Sequence, residues 1–140
     1  MIRAGRASLV VTSVETDPDL VTQHLGLSPR TVVRKGEVSR SGRVREHHTW
    51  AVDAGPFSND DDDQTGAAAL TALLEQCRAA FGRVGTLPAD CHARIVWSAD
   101  SDSAQGGFVL TAAVAAQIAA LGVDLYGTVL LADAEKESVI

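Results

Sequence analysis

The chain has 140 residues and a formal net charge of −6, with 46% hydrophobic and 21% charged residues. A chain of this length buries enough apolar surface to fold as one domain without disulfides or a structural metal. The acidic balance and the few aromatic residues argue against a nucleic-acid-binding protein, and no apolar run reaches the roughly 20 residues of a membrane-spanning helix. We therefore predict a single domain over residues 1–140 that neither crosses a membrane nor binds nucleic acid.

The first quarter of the chain predicts a strand, a helix and a second strand. Residues 6–14 are rich in Val and Leu, which is typical of a strand. Capping residues followed by Pro18 begin a helix over about 18–25, and Gly26 ends it. The β-branched run at 31–33 predicts a short second strand.

The next segment predicts a loop, a strand and an acidic loop. Residues 34–42 have the composition of a turn and an exposed loop, and residues 45–53 are typical of a strand. Residues 54–65 contain Gly, Pro and four consecutive aspartates, without the spaced ligands of a calcium loop. We predict a solvated acidic loop there.

Residues 66–84 show the clearest helical periodicity in the chain. The opposite face carries polar residues such as Glu75, so the spacing predicts one amphipathic helix on which both halves of the chain pack. The aspartates at 60–63 lie just before its first turn, where the helix dipole favours negative charge. The predicted core stripe consists of Leu70, Leu73, Leu74, Cys77, Phe81 and Val84.

The last third predicts three strands, a helix and a tail. Residues 91–99 alternate apolar and polar side chains, and residues 108–110 form a short apolar run, so both are predicted strands. A helix over about 112–121 and a final alternating strand over 123–132 follow. Residues 133–140 are mostly polar and are predicted to fray.

The predicted order is β-α-β-β-α-β-β-α-β. It favours an α+β fold with a mostly antiparallel sheet and helices on one face, its first six elements ordered like a ferredoxin-like unit. A strand, a cap and a helix ending in Leu-Gly occur near both ends of the chain. This similarity predicts an imperfect internal duplication.

The cysteines and histidines give no metal or cofactor signature. Cys77 and Cys91 match no metal or redox spacing, so we predict free thiols in a cytosolic protein. His24 ends the first helix, where we expect a structural or solvent-exposed role. His47 and His48 are adjacent on a strand and point to opposite faces, so they cannot chelate one metal together.

No catalytic motif occurs in the chain: G-x-S-x-G, H-E-x-x-H, the P-loop and G-x-G-x-x-G are all absent. The sequence therefore favours a non-catalytic domain, with a triad assembled from distant residues as the alternative. No catalytic residue is predicted.

One segment has an unusual charge. Positions 30–46 hold six of the twelve Lys and Arg residues against two glutamates, so this segment carries +4 and the remainder −10. Such an asymmetry steers anionic partners or solvates a loop. Gly36 would let backbone amides approach a ligand, arginine binds carboxylate or phosphate, and Trp50 could stack on a ligand. The candidate side chains are Arg34, Lys35, Glu37, Arg43, Arg45 and Trp50.

Each candidate also has a purely structural interpretation. Glu37 would pair with Arg34 or Arg45, and Trp50 would belong to the core. Asp124 and Tyr126, on the last predicted strand, form a second candidate pair, for which a structural role is the stronger expectation.

Several short motifs occur in a characteristic order. They include Thr16-Asp17-Pro18-Asp19, Leu25-Gly26-Leu27-Ser28-Pro29, Arg34-Lys35-Gly36-Glu37, Trp50, Leu73-Leu74, Leu110-Thr111, Leu121-Gly122 and Asp124-Leu125-Tyr126. In this order the chain resembles the bacterial family catalogued as domain of unknown function 4279, over about residues 6–127. The resemblance implies a small α+β cytoplasmic domain and brings no established activity. The long acidic loop and the alanine-rich third helix depart from the family pattern.

Two functions follow from these observations. The first is a non-catalytic interaction module that binds a protein partner, as an immunity or regulatory protein does, through the basic hairpin or an exposed sheet face. The alternative is a binding domain or enzyme for a small anionic ligand at Arg34, Lys35 and Arg45. A deep pocket would favour the ligand, and a flat basic surface the protein partner. The sequence leaves the oligomeric state open, a homodimer included.

Overall fold

The computed structural model describes residues 2–58, 66–102 and 107–131. Within these residues the chain forms five strands and three α-helices in the order β1-α1-β2-β3-α2-β4-α3-β5. The strands are β1 (Ile2–Ser13), β2 (Thr31–Val33), β3 (His48–Ser58), β4 (His92–Ser101) and β5 (Asp124–Leu131). The helices are α1 (Pro18–Leu25), α2 (Ala67–Gln76) and α3 (Ala112–Leu121).

The strands form one sheet in the order β2-β3-β1-β4-β5. All neighbours are antiparallel except β4 and β5, which are parallel. Parallel neighbours need a crossover connection, which α3 provides. The α+β fold with a mostly antiparallel sheet is therefore confirmed.

The core lies between the sheet and the helices. Along β1 the side chains of Ala7, Leu9 and Val11 are buried, whereas the alternate side chains are only partly buried. This alternation places the helices against one face of β1, because successive side chains on a strand point to opposite faces. The helices contribute Val21, Leu25, Leu70, Leu73, Leu74, Ile118 and Leu121 to the buried cluster.

The central helix is shorter than predicted. α2 ends at Gln76, and two 3₁₀ turns follow at Arg78–Ala80 and Val84–Thr86. Gly82 lies between these turns with φ +80, a left-handed conformation that an α-helix does not continue through. The predicted core stripe is nevertheless buried up to Cys77.

Other predicted elements also differ from the structure: β1 begins at Ile2 rather than at residue 6, β3 begins at His48 rather than at residue 45, and one predicted strand is absent. Residues 108–110 form no strand, because Phe108 packs its ring against Trp97 with the centroids 4.4 Å apart. β3 runs to Ser58, five residues into the predicted acidic loop 54–65, because it continues to pair with β1 as far as Ala4. Residues 59–65, which include the aspartates, and the tail 133–140 lie outside the described residues.

Both cysteines are free, as predicted. Burial raises the pKa of Cys77 to about 11, because the thiolate would lose its hydration in the core. None of the helices in the described parts of the chain is long and apolar enough to cross a membrane.

Candidate functional site

The face of the sheet opposite the helices is lined by polar and charged side chains. Strand register places Thr12 of β1 between Thr49 of β3 and His92 of β4. Two residues earlier on β1, Val10 lies opposite Arg94, which in turn lies opposite Asp124 of β5. Residues two apart on a strand share a face, so these side chains lie together on the helix-free face.

A hairpin between β2 and β3 lies beside this face, and we call residues 34–47 the basic hairpin. The N–H of Gly36 donates to the carbonyl of Arg45 over 2.9 Å, and the N–H of Ser39 donates to the carbonyl of Arg43 over 2.8 Å. Gly36 has φ +92, which the turn requires and which other residues rarely adopt. The hairpin is therefore ordered by its own backbone bonds.

The first two cations of the basic hairpin form ion pairs with acidic residues in and just before the first turn of α1. Arg34 contacts Asp17 at 3.0 Å and Asp19 at 3.3 Å, and Lys35 contacts Glu15 at 3.5 Å. The N–H of Asp19 and then the guanidinium of Arg34 lower the pKa of Asp17. Arg34 and Lys35 therefore already have acidic partners in the segment 15–19 that leads into α1.

Of two further candidates, only Trp50 has a structural position. Trp50 is only 1% exposed and donates its indole N–H to the hydroxyl of Thr22 over 3.0 Å. It therefore belongs to the core and offers no stacking surface. Glu37 is exposed, and within the described residues it forms no ion pair with Arg34 or Arg45.

Arg43 and Arg45 line a concavity of about 300 Å³ between the basic hairpin and the sheet. Both side chains are exposed, and among the described residues no carboxylate lies within ion-pair distance of either. Their charge is therefore available to a partner. The concavity is completed by Thr12, Val44, Glu46, His47 and Thr49.

A second concavity of about 480 Å³ adjoins the first and shares Thr12 with it. It contains the other predicted pair, Asp124 and Tyr126, together with Arg94 and His92. The guanidinium carbon of Arg94 lies 5.6 Å from the centre of the Tyr126 ring, a cation–π distance. We call the two concavities together the basic groove.

Arg94 and His92 were not among the residues proposed from sequence. Their alternation with the apolar side chains of β4 already placed them off the core face. The missing information was the strand order, because the pairing of β4 with β5 brings Arg94 beside Tyr126.

The chemistry available in the basic groove is anion recognition. Arginine donates a fork of hydrogen bonds that matches carboxylate or phosphate, and Arg43, Arg45 and Arg94 all reach the groove. Across residues 2–58, 66–102 and 107–131, no three His, Cys, Asp or Glu side chains cluster as a metal site requires.

The turn that holds Glu15 is organised by Asp90. Its carboxylate accepts the hydroxyl of Thr16 at 2.6 Å and the backbone N–H groups of Glu15 and Thr16 at 2.9 and 2.8 Å. The Thr16 hydroxyl and these N–H groups hold the pKa of Asp90 well below its usual range. Asp90 thereby positions Glu15, the partner of Lys35.

We expect Asp90→Ala to lower the melting temperature at neutral pH, with a difference from wild type that shrinks in acid. A carboxyl whose pKa is depressed by folding stabilises the protein above its unfolded pKa of about 4, and this contribution is lost as the pH falls below that value. Melting curves of both proteins between neutral pH and about pH 3 test this. A difference that does not change with pH would show that the carboxylate charge is not responsible.

We compared the chain with protein families, curated proteins and solved structures. No curated protein and no solved structure matches the chain. Residues 3–128 match the family described as Domain of unknown function (DUF4279). This match includes the basic hairpin and every residue of the basic groove, and it covers most of the chain. The chain therefore belongs to the DUF4279 family.

Proposed function

We propose that this domain is a non-catalytic interaction module and that its basic groove binds an acidic segment of a protein partner. One observation carries the proposal: Arg43, Arg45 and Arg94 reach the same face of the sheet without an ion-pair partner among the described residues. By contrast, Arg34 and Lys35 already have acidic partners, Asp17 and Glu15, just before α1. Unpaired guanidinium groups around a groove attract and orient carboxylates.

The shape of the groove favours a macromolecular partner. Within the hairpin part of the groove, Arg43, Arg45 and His47 are all exposed, so that the concavity is a shallow surface rather than an enclosed pocket. Small ligands are normally held in clefts that bury most of their surface. A peptide segment with several acidic side chains could contact Arg43 and Arg94 at once.

A small anionic ligand is the second candidate, because the two concavities have volumes in the usual ligand range. The set predicted from sequence was Arg34, Lys35 and Arg45, of which the first two already have acidic partners. The ligand would instead be held by Arg45, Arg43 and Arg94, with Tyr126 as an aromatic neighbour.

We place the interaction in the bacterial cytoplasm, in an immunity or regulatory role. The free thiols of Cys77 and Cys91 support a reducing compartment. A charged groove on a small domain without a catalytic motif fits a protein that acts by binding.

We also propose that β1 to β4 with α1 and α2 form a ferredoxin-like unit, to which α3 and β5 are added. The strand order β4-β1-β3-β2, antiparallel throughout, supports this relation. The internal duplication stays a prediction, and the absence of a strand at 107–110 removes one of the features on which it rested.

We expect the double variant Arg43→Glu/Arg45→Glu to lose its partner while it keeps its fold. Exposed charges contribute only about 0–1 kcal/mol each to stability, whereas reversing two of them should weaken binding roughly tenfold or more and abolish most of its salt dependence. Arg40→Glu is the matched control, because Arg40 is an exposed cation of the same hairpin that does not line the groove. Capture of partners from native lysate at two salt concentrations, with a melting curve for each protein, measures the difference.

The controls separate the alternatives. Unchanged capture by the folded double variant would contradict the groove assignment, and equal loss in Arg40→Glu would show that only net charge matters. Reversal of Arg34 and Lys35 is a poor test, because it would place like charges beside Asp17 and Glu15 and loosen the hairpin itself.

A further inference from the structure

Within residues 2–58, 66–102 and 107–131, no strand pairs with the outer edge of β5. This strand is eight residues long and is last in the strand order, with β4 as its one neighbour among the described residues. The side of β5 that faces away from β4 therefore presents a row of backbone N–H and C=O groups to which the described residues offer no strand partner. Proteins normally protect such edges with lysine, proline or a bulge, and β5 contains no lysine or proline, its one charged residue being Asp124 at its first position.

The segment of the chain that carries this edge is nearly free of charge. Residues 107–131 contain one charged residue, Asp124, in a chain in which 21% of residues are charged. In α3, Gln117 is the one polar residue, and alanines fill most of its exposed positions. Helices that are apolar on all sides are usually buried. The large apolar side chains that are exposed here are Val109, Leu110, Tyr126, Val129, Leu130 and Leu131.

We propose that β5 pairs antiparallel with β5 of a second copy of this chain about a two-fold axis, joining two sheets into one of ten strands. The partner of this edge must itself offer an open strand edge and uncharged apolar side chains, because residues 125–131 of β5 carry no charge with which to recognise an acidic or basic surface. A second copy has both properties. An isologous contact of this kind closes as a dimer.

The symmetry restricts the strand register. A two-fold axis perpendicular to the sheet keeps the helix layers of both copies on the same side of the joined sheet. Each side chain of β5 therefore lies opposite a partner side chain on the same face of the sheet. With Thr128 opposite itself, Tyr126 lies against the partner's Leu130, and Leu125 lies against the partner's Leu131. Cross-strand aromatic and aliphatic pairs of this kind are stabilising.

The neighbouring register is less favourable. With Gly127 on the axis, Asp124 would lie opposite the partner's Leu130, where a carboxylate would lose hydration without gaining a partner. With Thr128 on the axis, Asp124 stays beyond the paired residues of β5. The exposed alanines of α3 have little side-chain bulk, so they allow the α3 helices of the two copies to approach each other.

Mass measurement in solution tests the dimer. We expect light scattering on an eluting peak to give twice the 14.6 kDa of the single chain for wild type from low to high micromolar concentration. Leu130→Lys should give the single-chain mass, because Leu130 is 52% exposed in the single chain and a lysine on the edge opposes pairing. Val38→Lys, at a 66% exposed valine of the basic hairpin, should remain dimeric.

A wild-type protein of single-chain mass at every concentration would overturn the proposal. So would a folded Leu130→Lys variant that remains dimeric, since the dimer would then use another surface. Leu125 and Tyr126 line the basic groove as well as this edge, but Arg43 and Arg45 lie on the basic hairpin and not on β5, so a single-chain mass leaves the proposed binding function standing.

Cross-linking tests the register. Directly opposite residues of an antiparallel pair have Cα atoms about 4.5–5.5 Å apart, within the range of a disulfide. Mild oxidation should therefore link Thr128→Cys into a covalent dimer. Thr71→Cys, at an exposed position of α2 away from the edge, should not be linked. Equal linkage of both variants, or no linkage of Thr128→Cys in a dimeric sample, would overturn the register.

Discussion

Replacing Leu73 by alanine should lower the free energy of unfolding by about 2–5 kcal/mol. Leu73 is completely buried in α2, and it belongs to the cluster that this helix shares with β1 and β3. Truncation removes buried methyl groups and leaves a cavity that neighbouring side chains fill only partly. The loss is large compared with the total stability of a typical domain.

Glu75→Ala on the same helix is the matched comparison. Glu75 is exposed, and its ion pair with Arg78 at 3.1 Å is also exposed, so its loss should cost well under about 1 kcal/mol. Denaturant unfolding of the two variants measures both values directly. Similar small losses in both would mean that the wrong face of α2 had been assigned to the core.

Replacing Gly66 by alanine should destabilise the protein by about 2–4 kcal/mol, from two sources. Gly66 has φ +78 at the start of α2, a left-handed conformation that costs other residues roughly 1–2 kcal/mol. An added Cβ would also lie 2.9 Å from Cζ2 of Trp97 and 3.2 Å from Cγ2 of Ile2. The same residue accepts the indole N–H of Trp97 at its carbonyl over 3.1 Å, so any shift of the indole disturbs a buried hydrogen bond.

Gly82→Ala separates these two sources. Gly82 has φ +80, nearly the same backbone conformation, but an added Cβ there meets nothing within 4 Å. The free energy of unfolding of Gly82→Ala should fall only by the cost of the left-handed backbone conformation, about 1–2 kcal/mol. Unfolding measurements on both variants give two losses of stability, and the difference between them is the cost of the contact between the added methyl group and its neighbours. Equal losses would show that Trp97 yields to the new methyl group without cost.

The features predicted correctly from sequence depend on neighbouring residues. The α1 helix begins and ends where its caps predict: the side chain of Asp17 accepts the N–H of Asp19 at 2.8 Å, and Gly26 adopts φ +69. Likewise, Thr111 accepts the N–H of Val114, and Gly122 ends α3. Caps act within one turn, so the local sequence is enough to locate them.

The features that were missed depend on distant residues. Phe108 belongs to an apolar run that is typical of a strand, yet its contact with Trp97 replaces strand pairing. The pairing of Arg34 with Asp17 and the stacking of Arg94 on Tyr126 join residues far apart in sequence. Both follow from strand order and hairpin position, which periodicity alone does not determine.

The central claim is that the basic groove, rather than the paired cations at the start of the hairpin, is the binding surface. Amide chemical-shift mapping with an oligoglutamate peptide as the acidic probe tests it most directly. We predict shifts at Thr12, Thr49 and Arg94 in wild type and their loss in Arg43→Glu/Arg45→Glu. Shifts centred on Arg34 and Lys35, or shifts that persist unchanged in the double variant, would contradict the claim.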